Sequence, residues 1–470
     1  MKRAAALMLV ALAGCASYHD EHVDVSTSKS PDQPWVAPAN AVPPARPAER
    51  AALPANLAPG ATITLPQVID VALTNNPATR EAWLNARAAE AALGSRRSAY
   101  LPEVDLNANV TRQKSATQGG RSIFLQTSYG PQLALSYLLF DFGGRAAQVE
   151  EARQGLIAAD FEHNQAIQDV ILRTEQAYYG YLDARALLES QDATIKERQT
   201  QLNAAEARHD AGVATIADVL QAKTALSQAQ LTRESIEGNL RTIEGALATA
   251  MGLPATTHFD FGTLPLDVPA REVGQQVDAL IDAAIAARPD LAAARAAAQS
   301  AQARVQEVRA QGLPSISLNS TFGRTYFRPN AGVAFTTPYT AAVLFRWPLF
   351  TGWRNTYDVR QAELQAQIAN ENVRAAEQQV DLQVWTSYYS LQTATQRFTT
   401  ARDLLASAQQ SADVAANRYR AGVGSILDLL TAEAALETAR AQEVQSRADW
   451  FLAIAQLAHD TGTLTQGTTK

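Results

Sequence analysis

The sequence has a single cysteine among its 470 residues and no excess of basic side chains. One cysteine excludes a disulfide framework and any cysteine-based zinc or iron–sulfur site. The 40 Lys and Arg side chains against 47 Asp and Glu give a net charge of −7, which argues against a nucleic-acid partner. The sequence contains no phosphate-binding loop, nucleophile elbow or zinc-protease helix. Nothing in it therefore indicates an enzyme, a metal site or a cofactor.

Proline is unevenly distributed, and the segments without it predict long helices. Nine of the 20 prolines lie in residues 1–66, whereas residues 132–253 and 349–470 contain none. Because proline interrupts helices, these two segments of 122 residues each can hold helices far longer than average.

The N-terminus has the composition of an export signal. A basic start and a ten-residue apolar run precede Gly14-Cys15, which predicts a signal peptide over residues 1–14 rather than a membrane span. Residues 12–15, Leu-Ala-Gly-Cys, resemble the bacterial lipobox, so we predict lipidation of Cys15; the alternative is an ordinary signal with a chance cysteine. A proline-rich tether over residues 15–61 would then join the lipid to the fold.

The mature chain contains an internal duplication with an offset of 210 to 212 residues. Matching segments are Asn76-Pro77 and Arg288-Pro289, Leu101-Pro102 and Leu313-Pro314, Leu139-Phe140 and Leu349-Phe350, Tyr178-Tyr179 and Tyr388-Tyr389, and Ala211-Gly212-Val213 and Ala421-Gly422-Val423. The duplication predicts a first repeat over 62–254, a linker over 255–274, a second repeat over 275–462 and a tail over 463–470.

Each repeat has the same predicted order of elements, which makes the fold mainly α-helical. A single helix (about 66–98 or 275–311) is followed by two amphipathic strands with a polar loop between them. Alternation of apolar and polar residues predicts strands at about 103–112, 130–140, 315–323 and 339–348. Helical hairpins then cover about 143–252 and 353–460. Their apolar residues recur every seven positions, as in a coiled coil: Tyr181, Leu188, Ile195 and Leu202, and Leu391, Phe398, Leu405 and Ala412.

The strands have the length and pattern of membrane-spanning β-strands. Four strands cannot close a barrel, so the chain is expected to associate into a dimer with eight strands or a trimer with twelve. Six apolar side chains should face lipid: Val104, Leu106, Leu133, Leu135, Val343 and Phe345. Four polar ones should face the lumen: Asn107, Asn109, Gln132 and Thr340. A soluble sandwich would leave the two long helical hairpins unexplained, and a coiled-coil envelope scaffold without a channel would leave the amphipathic strands unexplained.

The duplicated order, the two hairpin tips and the segment YRAGVGSILD at 419–428 resemble the TolC-type outer membrane efflux proteins over roughly residues 62–460. The resemblance implies a homotrimer with a twelve-stranded transmembrane barrel continued by a periplasmic α-helical tunnel. It also implies a periplasmic adaptor protein and an inner-membrane pump as partners. The implied function is the exit duct of a tripartite pump for drugs or other small toxic compounds, lipid-anchored in the outer membrane. The alternative is the exit duct of a type I protein secretion system.

The resemblance further assigns roles to residues near the hairpin tips. Asp428 matches a position that forms an acidic ring at the periplasmic entrance, and Tyr419 and Asp218 match positions that hold neighbouring hairpins closed. The adaptor-contacting positions correspond to Gly212, Val213, Gly422 and Val423. Gly424 and Thr431 depart from the best-known member, which has a lock arginine and a second ring aspartate there. The departures imply a weaker gate.

Helix capping is a second interpretation of the two tip aspartates. Thr215 and Asp218, like Ser425 and Asp428, have the spacing of a capping box, in which each side chain bonds the other residue's backbone N–H. An acidic side chain in the first turn is also favoured by the helix dipole. For Asp218 capping alone remains an alternative to a gate role, whereas for Asp428 we favour the gate.

Overall fold

The computed structural model of the protein describes residues 62–117, 122–265, 276–329 and 333–464. The predicted signal peptide over residues 1–14 and the predicted tether over residues 15–61, including Cys15, lie outside these residues. Parts of the linker and the tail lie outside them as well. At the start of the predicted tail, Leu464 is buried in a cluster with Ile69 and Ile171. The tail therefore begins inside the core.

Besides a short 3-10 helix at Ser98–Tyr100, the described part of the first repeat contains eight helices and strands, counting a short strand that follows the hairpin. In chain order they are β1 (Thr62–Ile63), α1 (Leu65–Asn75), α2 (Pro77–Arg97), β2 (Glu103–Thr117), β3 (Ser122–Phe140), α3 (Gly144–Asp210), α4 (Ile216–Ala250) and β4 (Asp260–Phe261). β1 and β4 form a parallel pair. This pair ties the start of the first repeat to the segment predicted as a linker.

The second repeat has the same order with two additional short strands. Its elements are α5 (Val277–Ala287), α6 (Pro289–Ala310), β5 (Ser315–Gly323), β6 (Thr325–Arg328), β7 (Phe335–Thr336), β8 (Tyr339–Arg346), α7 (Arg354–Arg420) and α8 (Ile426–Asp460). The predicted duplication of helix, strand pair and long helical hairpin is therefore confirmed.

Two predictions about element boundaries were wrong. The single helices expected at 66–98 and 275–311 are each two helices, because Pro77 and Pro289 force the preceding residue into extended conformation, with ψ of 126° at Asn76 and 128° at Arg288. The loops expected after the first strand of each repeat are largely paired. β2 and β3 extend to Thr117 and Ser122, since backbone pairing can continue along an antiparallel hairpin beyond its amphipathic part.

The four long strands form an antiparallel sheet in the order β2–β3–β5–β8. Its register places Val104 opposite Leu135 and Leu318 opposite Val343, so the apolar side chains of all four strands share one face. Asn107 pairs with Gln132 on the other face. The predicted division into an apolar and a polar face is confirmed. The outer strands β2 and β8 end the sheet, and each has one unpaired edge among the described residues.

The two helical hairpins form the remaining body. α3 and α7 have 67 residues each, a length of about 100 Å at 1.5 Å per residue, and their return helices α4 and α8 have 35. The predicted seven-residue stripes face inward, with Tyr181, Leu202, Leu391 and Phe398 buried. α6 packs against both α3 and α7, and Val305 and Val308 of α6 form an apolar cluster with Ala362 and Ala366 of α7. Within the described ranges, no helix has the length and apolarity to cross a membrane.

A histidine joins the end of α8 to the middle of α3. His459 Nε2 lies 2.9 Å from Asp169 Oδ1, and His459 Nδ1 lies 3.1 Å from Asp460 Oδ1. Burial alone would lower the pKa of His459, but the two carboxylates outweigh it and raise the pKa to about 9. The imidazolium therefore forms a charged link between the two repeats at neutral pH.

Candidate functional site

The tips of both hairpins are built by the same backbone motif. Gly212 and Gly422 adopt positive φ values of 75° and 77°, as expected for the residue that ends a helix in the left-handed conformation. The N–H of Val213 then donates to the Arg208 carbonyl at 2.9 Å, and the N–H of Val423 donates to the Arg418 carbonyl at 3.0 Å. The turn leaves both valine side chains exposed at the end of the hairpins. An apolar side chain in this position is available to a partner protein.

Both predicted capping boxes are present. The Thr215 N–H donates to Asp218 Oδ2 at 2.9 Å, and the Asp218 N–H donates to Thr215 Oγ1 at 3.3 Å. Ser425 and Asp428 repeat the exchange at 3.4 and 3.1 Å. Within one chain, each aspartate thus supports the start of a helix, and each retains carboxylate oxygen that can take part in further contacts.

Tyr419 lies between the two hairpins and contacts an arginine that sequence reasoning missed. The Arg208 guanidinium carbon lies 4.8 Å from the Tyr419 ring centroid, and Arg208 Nη1 donates to the Tyr419 carbonyl at 2.8 Å. Arg208 stands in the last turn of α3, where a basic residue is usually explained by the helix dipole. The only sequence signal for Arg208 is that it lies 210 residues before Arg418, at the offset of the duplication.

Within the described residues of one chain, no hydrogen bond joins the Tyr419 hydroxyl to Asp218. The hydroxyl is buried and has no hydrogen-bond partner in the part of the protein that the structure describes. Burial raises the pKa of Tyr419, the negative charge of Asp218 adds to this effect, and Arg208 opposes it. Asp218 is thus close enough to act on Tyr419 electrostatically, while its carboxylate is engaged with the Thr215 backbone.

Local packing leaves little room for a side chain at Gly424, which departs from the best-known member of the resembled family. A Cβ at position 424 would lie 3.1 Å from the Arg418 Cβ and 3.2 Å from the Arg418 backbone carbon. A larger residue would therefore require the neighbouring atoms of α7 to shift by a few tenths of an ångström. Within one chain, the contact observed at this tip is between Arg208 and Tyr419.

An ionic network, buried at Arg198 and Glu433, joins the hairpins above the tips. Arg198 on α3 donates to Glu433 on α8 at 2.6 Å, and Arg440 on α8 makes two hydrogen bonds of 3.0 Å to Glu197 on α3. Burial raises the pKa of Glu433 to about 7, although Arg198 acts in the opposite direction. The partners are more than 230 residues apart in sequence, so no local pattern could have predicted them.

A cavity of about 250 Å³ separates the network from the tips, and its lining includes Gln201, Gln409, Tyr419 and Glu433. The Gln201 side-chain oxygen is buried without a hydrogen-bond partner among the described residues, as is the Tyr419 hydroxyl. The hairpins are thus in contact at two levels, the ionic network and the Arg208–Tyr419 contact. Between these levels, two buried polar atoms have no hydrogen-bond partner among the described residues. Across the described residues, no three His, Asp or Glu side chains come together as a metal site.

Comparisons with known proteins agree on one family. A family model described as outer membrane efflux protein matches residues 68–253 and 280–463. Protein CyaE of Bordetella pertussis is 28% identical over 385 residues, 81% of this chain and 80% of that protein. The antibiotic efflux pump outer membrane protein ArpC of Pseudomonas putida is 24% identical over 385 residues, 80% of this chain and 78% of ArpC. The solved structure of the outer-membrane channel OprN aligns with a TM-score of 0.77 and 21% identity, over 86% of this chain and 90% of that one.

Proposed function

The chain belongs to the outer membrane efflux protein family, and on that premise we propose that three copies form one channel. Each copy would contribute four strands to a twelve-stranded barrel, and the helical hairpins would continue the barrel as a tunnel through the periplasm. The channel would be the exit duct of a tripartite pump, docked to an inner-membrane transporter through a periplasmic adaptor. Cys15 would anchor the mature N-terminus to the same membrane by its lipid.

The sheet is the observation that carries this proposal. β2 and β8 are the outermost of the four long strands, and their described side chains are exposed on both faces. Open strand edges are not stable in lipid because their backbone N–H and C=O groups have no partner. Since the four strands alternate in direction, β2 of one copy is antiparallel to β8 of the next, which permits closure into a ring. The family supports three copies rather than two.

We propose small toxic compounds as the cargo, in line with the name of the antibiotic efflux pump protein ArpC. Deleting the gene in its own host should lower the minimum inhibitory concentration of several unrelated drugs, and the intact gene should restore it. A host that keeps its drug resistance but no longer secretes a protein substrate would show that the duct serves type I secretion instead.

The gate proposal places Asp428 of three chains around one axis. Three carboxylates held close together attract cations, so multivalent cations should block the open channel. Asp428→Asn keeps the side-chain size and removes the charge. In planar bilayers it should relieve this block and weaken cation selectivity. Block unchanged by the substitution would restrict Asp428 to its capping role.

Tyr419 and Asp218 would help to keep the hairpins closed. The double variant Tyr419→Phe with Asp218→Ala removes the hydroxyl and the nearby charge, and it should raise single-channel conductance if the pair closes the entrance. Tyr419→Phe alone is the matched control, because the ring that Arg208 contacts is retained. Wild-type conductance in the double variant would contradict a gate role for both residues.

The adaptor would contact the exposed tips at Gly212, Val213, Gly422 and Val423. Val213→Asp and Val423→Asp leave the glycine turn intact and place a charge on the exposed surface. Both should reduce chemical cross-linking to the adaptor and lower drug resistance without reducing the amount of channel. Unchanged cross-linking would locate the adaptor contact elsewhere.

A further inference from the structure

We infer that β8 of one subunit pairs with β2 of the next in a register that places Arg346 opposite Asn107 and beside Asp105. The inference rests on the trimeric barrel proposed above and assigns the residues that join its subunits. The partner on each free sheet edge is thus a second copy of this chain.

The internal duplication supplies the register, because strand pairings recur in both repeats. Glu103 pairs with Ser136 in the first repeat, and Ser315 pairs with Arg346 in the second. The first strands of the two pairs are 212 residues apart and the second strands are 210 residues apart. These are the offsets of the sequence repeat, so both strand hairpins have the same register.

The pairing of β3 with β5 joins the two repeats within a chain, and it is the template for the junction between chains. In this pairing Ser136 lies opposite Asn319. The residue equivalent to Ser136 in the second repeat is Arg346, and the residue equivalent to Asn319 in the first repeat is Asn107. The same equivalence places Leu344 opposite Asn109. Neighbouring chains would therefore pair as neighbouring repeats do.

The faces of the sheet agree with this register. It places Val343 opposite Val110 on the apolar face, while Arg346 and Asn107 share the polar face. A displacement by one residue would bring an apolar side chain to the polar face along the whole seam. Only displacements by two residues would keep the faces matched, and the template of the β3–β5 pairing selects one register among these.

Opposite charges lie on the two edges that would meet. On the polar face of the four long strands, the charged side chains among those described are Glu103 and Asp105 on β2 and Arg346 on β8, all exposed. In the inferred register Asp105 is the diagonal neighbour of Arg346, at a Cα separation of about 7–8 Å that an arginine side chain can span. At the junction within the chain the equivalent residues are uncharged: Ser136, Asn319 and Ser317. The charge pair is therefore specific to the seam between subunits.

Disulfide cross-linking in the full-length protein tests the register. Leu344→Cys is combined with Asn107→Cys, Asn109→Cys or Thr111→Cys, and membranes are oxidised before non-reducing electrophoresis. Directly opposed residues are about 4.5–5.5 Å apart, which suits a disulfide, whereas diagonal neighbours are about 7–8 Å apart. We expect covalent trimers with Asn109→Cys and a marked loss of cross-linking with the other two. The single-cysteine variants control for bonds through Cys15.

The outcomes separate the register from the trimer. Stronger cross-linking through Asn107→Cys or Thr111→Cys in an intact trimer overturns the register and leaves the proposed channel standing. Trimers without any of the three cross-links overturn the pairing of β8 with β2. A wild-type protein that is not trimeric on native electrophoresis contradicts the proposed function itself.

A charge reversal tests the ion pair separately. Asp105→Arg places a second cation beside Arg346 and should lower the temperature at which the trimer dissociates in detergent. Adding Arg346→Asp should restore that temperature. Glu103→Arg is the matched control, because residue 103 lies two positions farther from Arg346 along β2. This substitution should lower the dissociation temperature of the trimer less. Equal shifts for Asp105→Arg and Glu103→Arg, or no recovery in the double variant, would overturn the pair.

Discussion

Replacing Arg198 with methionine should destabilise the protein, because it breaks the buried contact between the two hairpins. The Arg198 side chain donates to Glu433 at 2.6 Å, and the two side chains are only 5% and 11% exposed. A hydrogen bond between charged groups contributes about 1.5–3 kcal/mol, so we expect a loss of about 2 kcal/mol in the free energy of unfolding at pH 7. Methionine fills much of the space of the arginine stem, which limits the contribution of a cavity.

The loss should grow with pH because of Glu433. Burial raises the pKa of Glu433 to about 7 from an ordinary value of 4.5, and Arg198 is the main group that opposes this rise. A raised pKa favours the folded state below the unfolded value, and this advantage disappears as pH rises through the folded value. In the variant the pKa rises further, so Glu433 stays protonated when folded. Between pH 7 and 8.5 the variant should lose up to about 1.4 kcal/mol per pH unit, whereas the wild type, in which Glu433 is already about half ionised at pH 7, should lose much less, so the difference should widen beyond about 2 kcal/mol.

Urea unfolding of the detergent-solubilised protein, followed by far-ultraviolet circular dichroism at pH 6.5, 7.5 and 8.5, measures both quantities. Arg374→Met is the matched control: Arg374 pairs with Glu371 at 2.9 Å on the exposed surface of the hairpin. It should cost less than about 1 kcal/mol and show no pH dependence. Adding Glu433→Gln to Arg198→Met should remove the pH-dependent part. A deficit that stays constant from pH 7 to 8.5 would refute the reasoning.

Three further changes test other regions. Leu106→Arg places a charge on the apolar face and should cost about 2–4 kcal/mol near mid-membrane, whereas Gln132→Arg, on the polar face of the inner strand β3, should be tolerated; the amount of protein in outer-membrane fractions distinguishes the two. Cys15→Ser should leave an unlipidated precursor. Palmitate labelling and normal processing of this variant would contradict the predicted anchor. His459→Gln should remove a contribution that the wild type has in full below about pH 6.5 and loses as pH rises through the His459 pKa of about 9. If both proteins show the same decline in urea midpoint over that range, the histidine link does not stabilise the fold.

The repeating patterns of the chain were predictable because they depend on nearby residues. Alternation in residues 104–110 identified β2 and its faces, and the seven-residue spacing from Tyr181 to Leu202 identified the buried side of α3. The capping boxes at Thr215 and Ser425 and the left-handed glycines that precede them involve contacts within five residues. The same kind of information was present at Pro77 and Pro289, yet the helix break was missed because a helical pattern continues on both sides of each proline.

By itself the sequence determined the element order, the strand faces, the hairpin tips and the duplication, since each is encoded by residues that are neighbours along one strand or helix. Only the tertiary structure decided which distant groups meet. Arg208 contacts Tyr419, and Arg198 contacts Glu433, because α3 of the first repeat packs against the hairpin of the second. Each of these side chains, considered alone, has the pattern of a solvated charge or a core aromatic residue. Their pairing depends on the packing of two hairpins, which no spacing within either hairpin can specify.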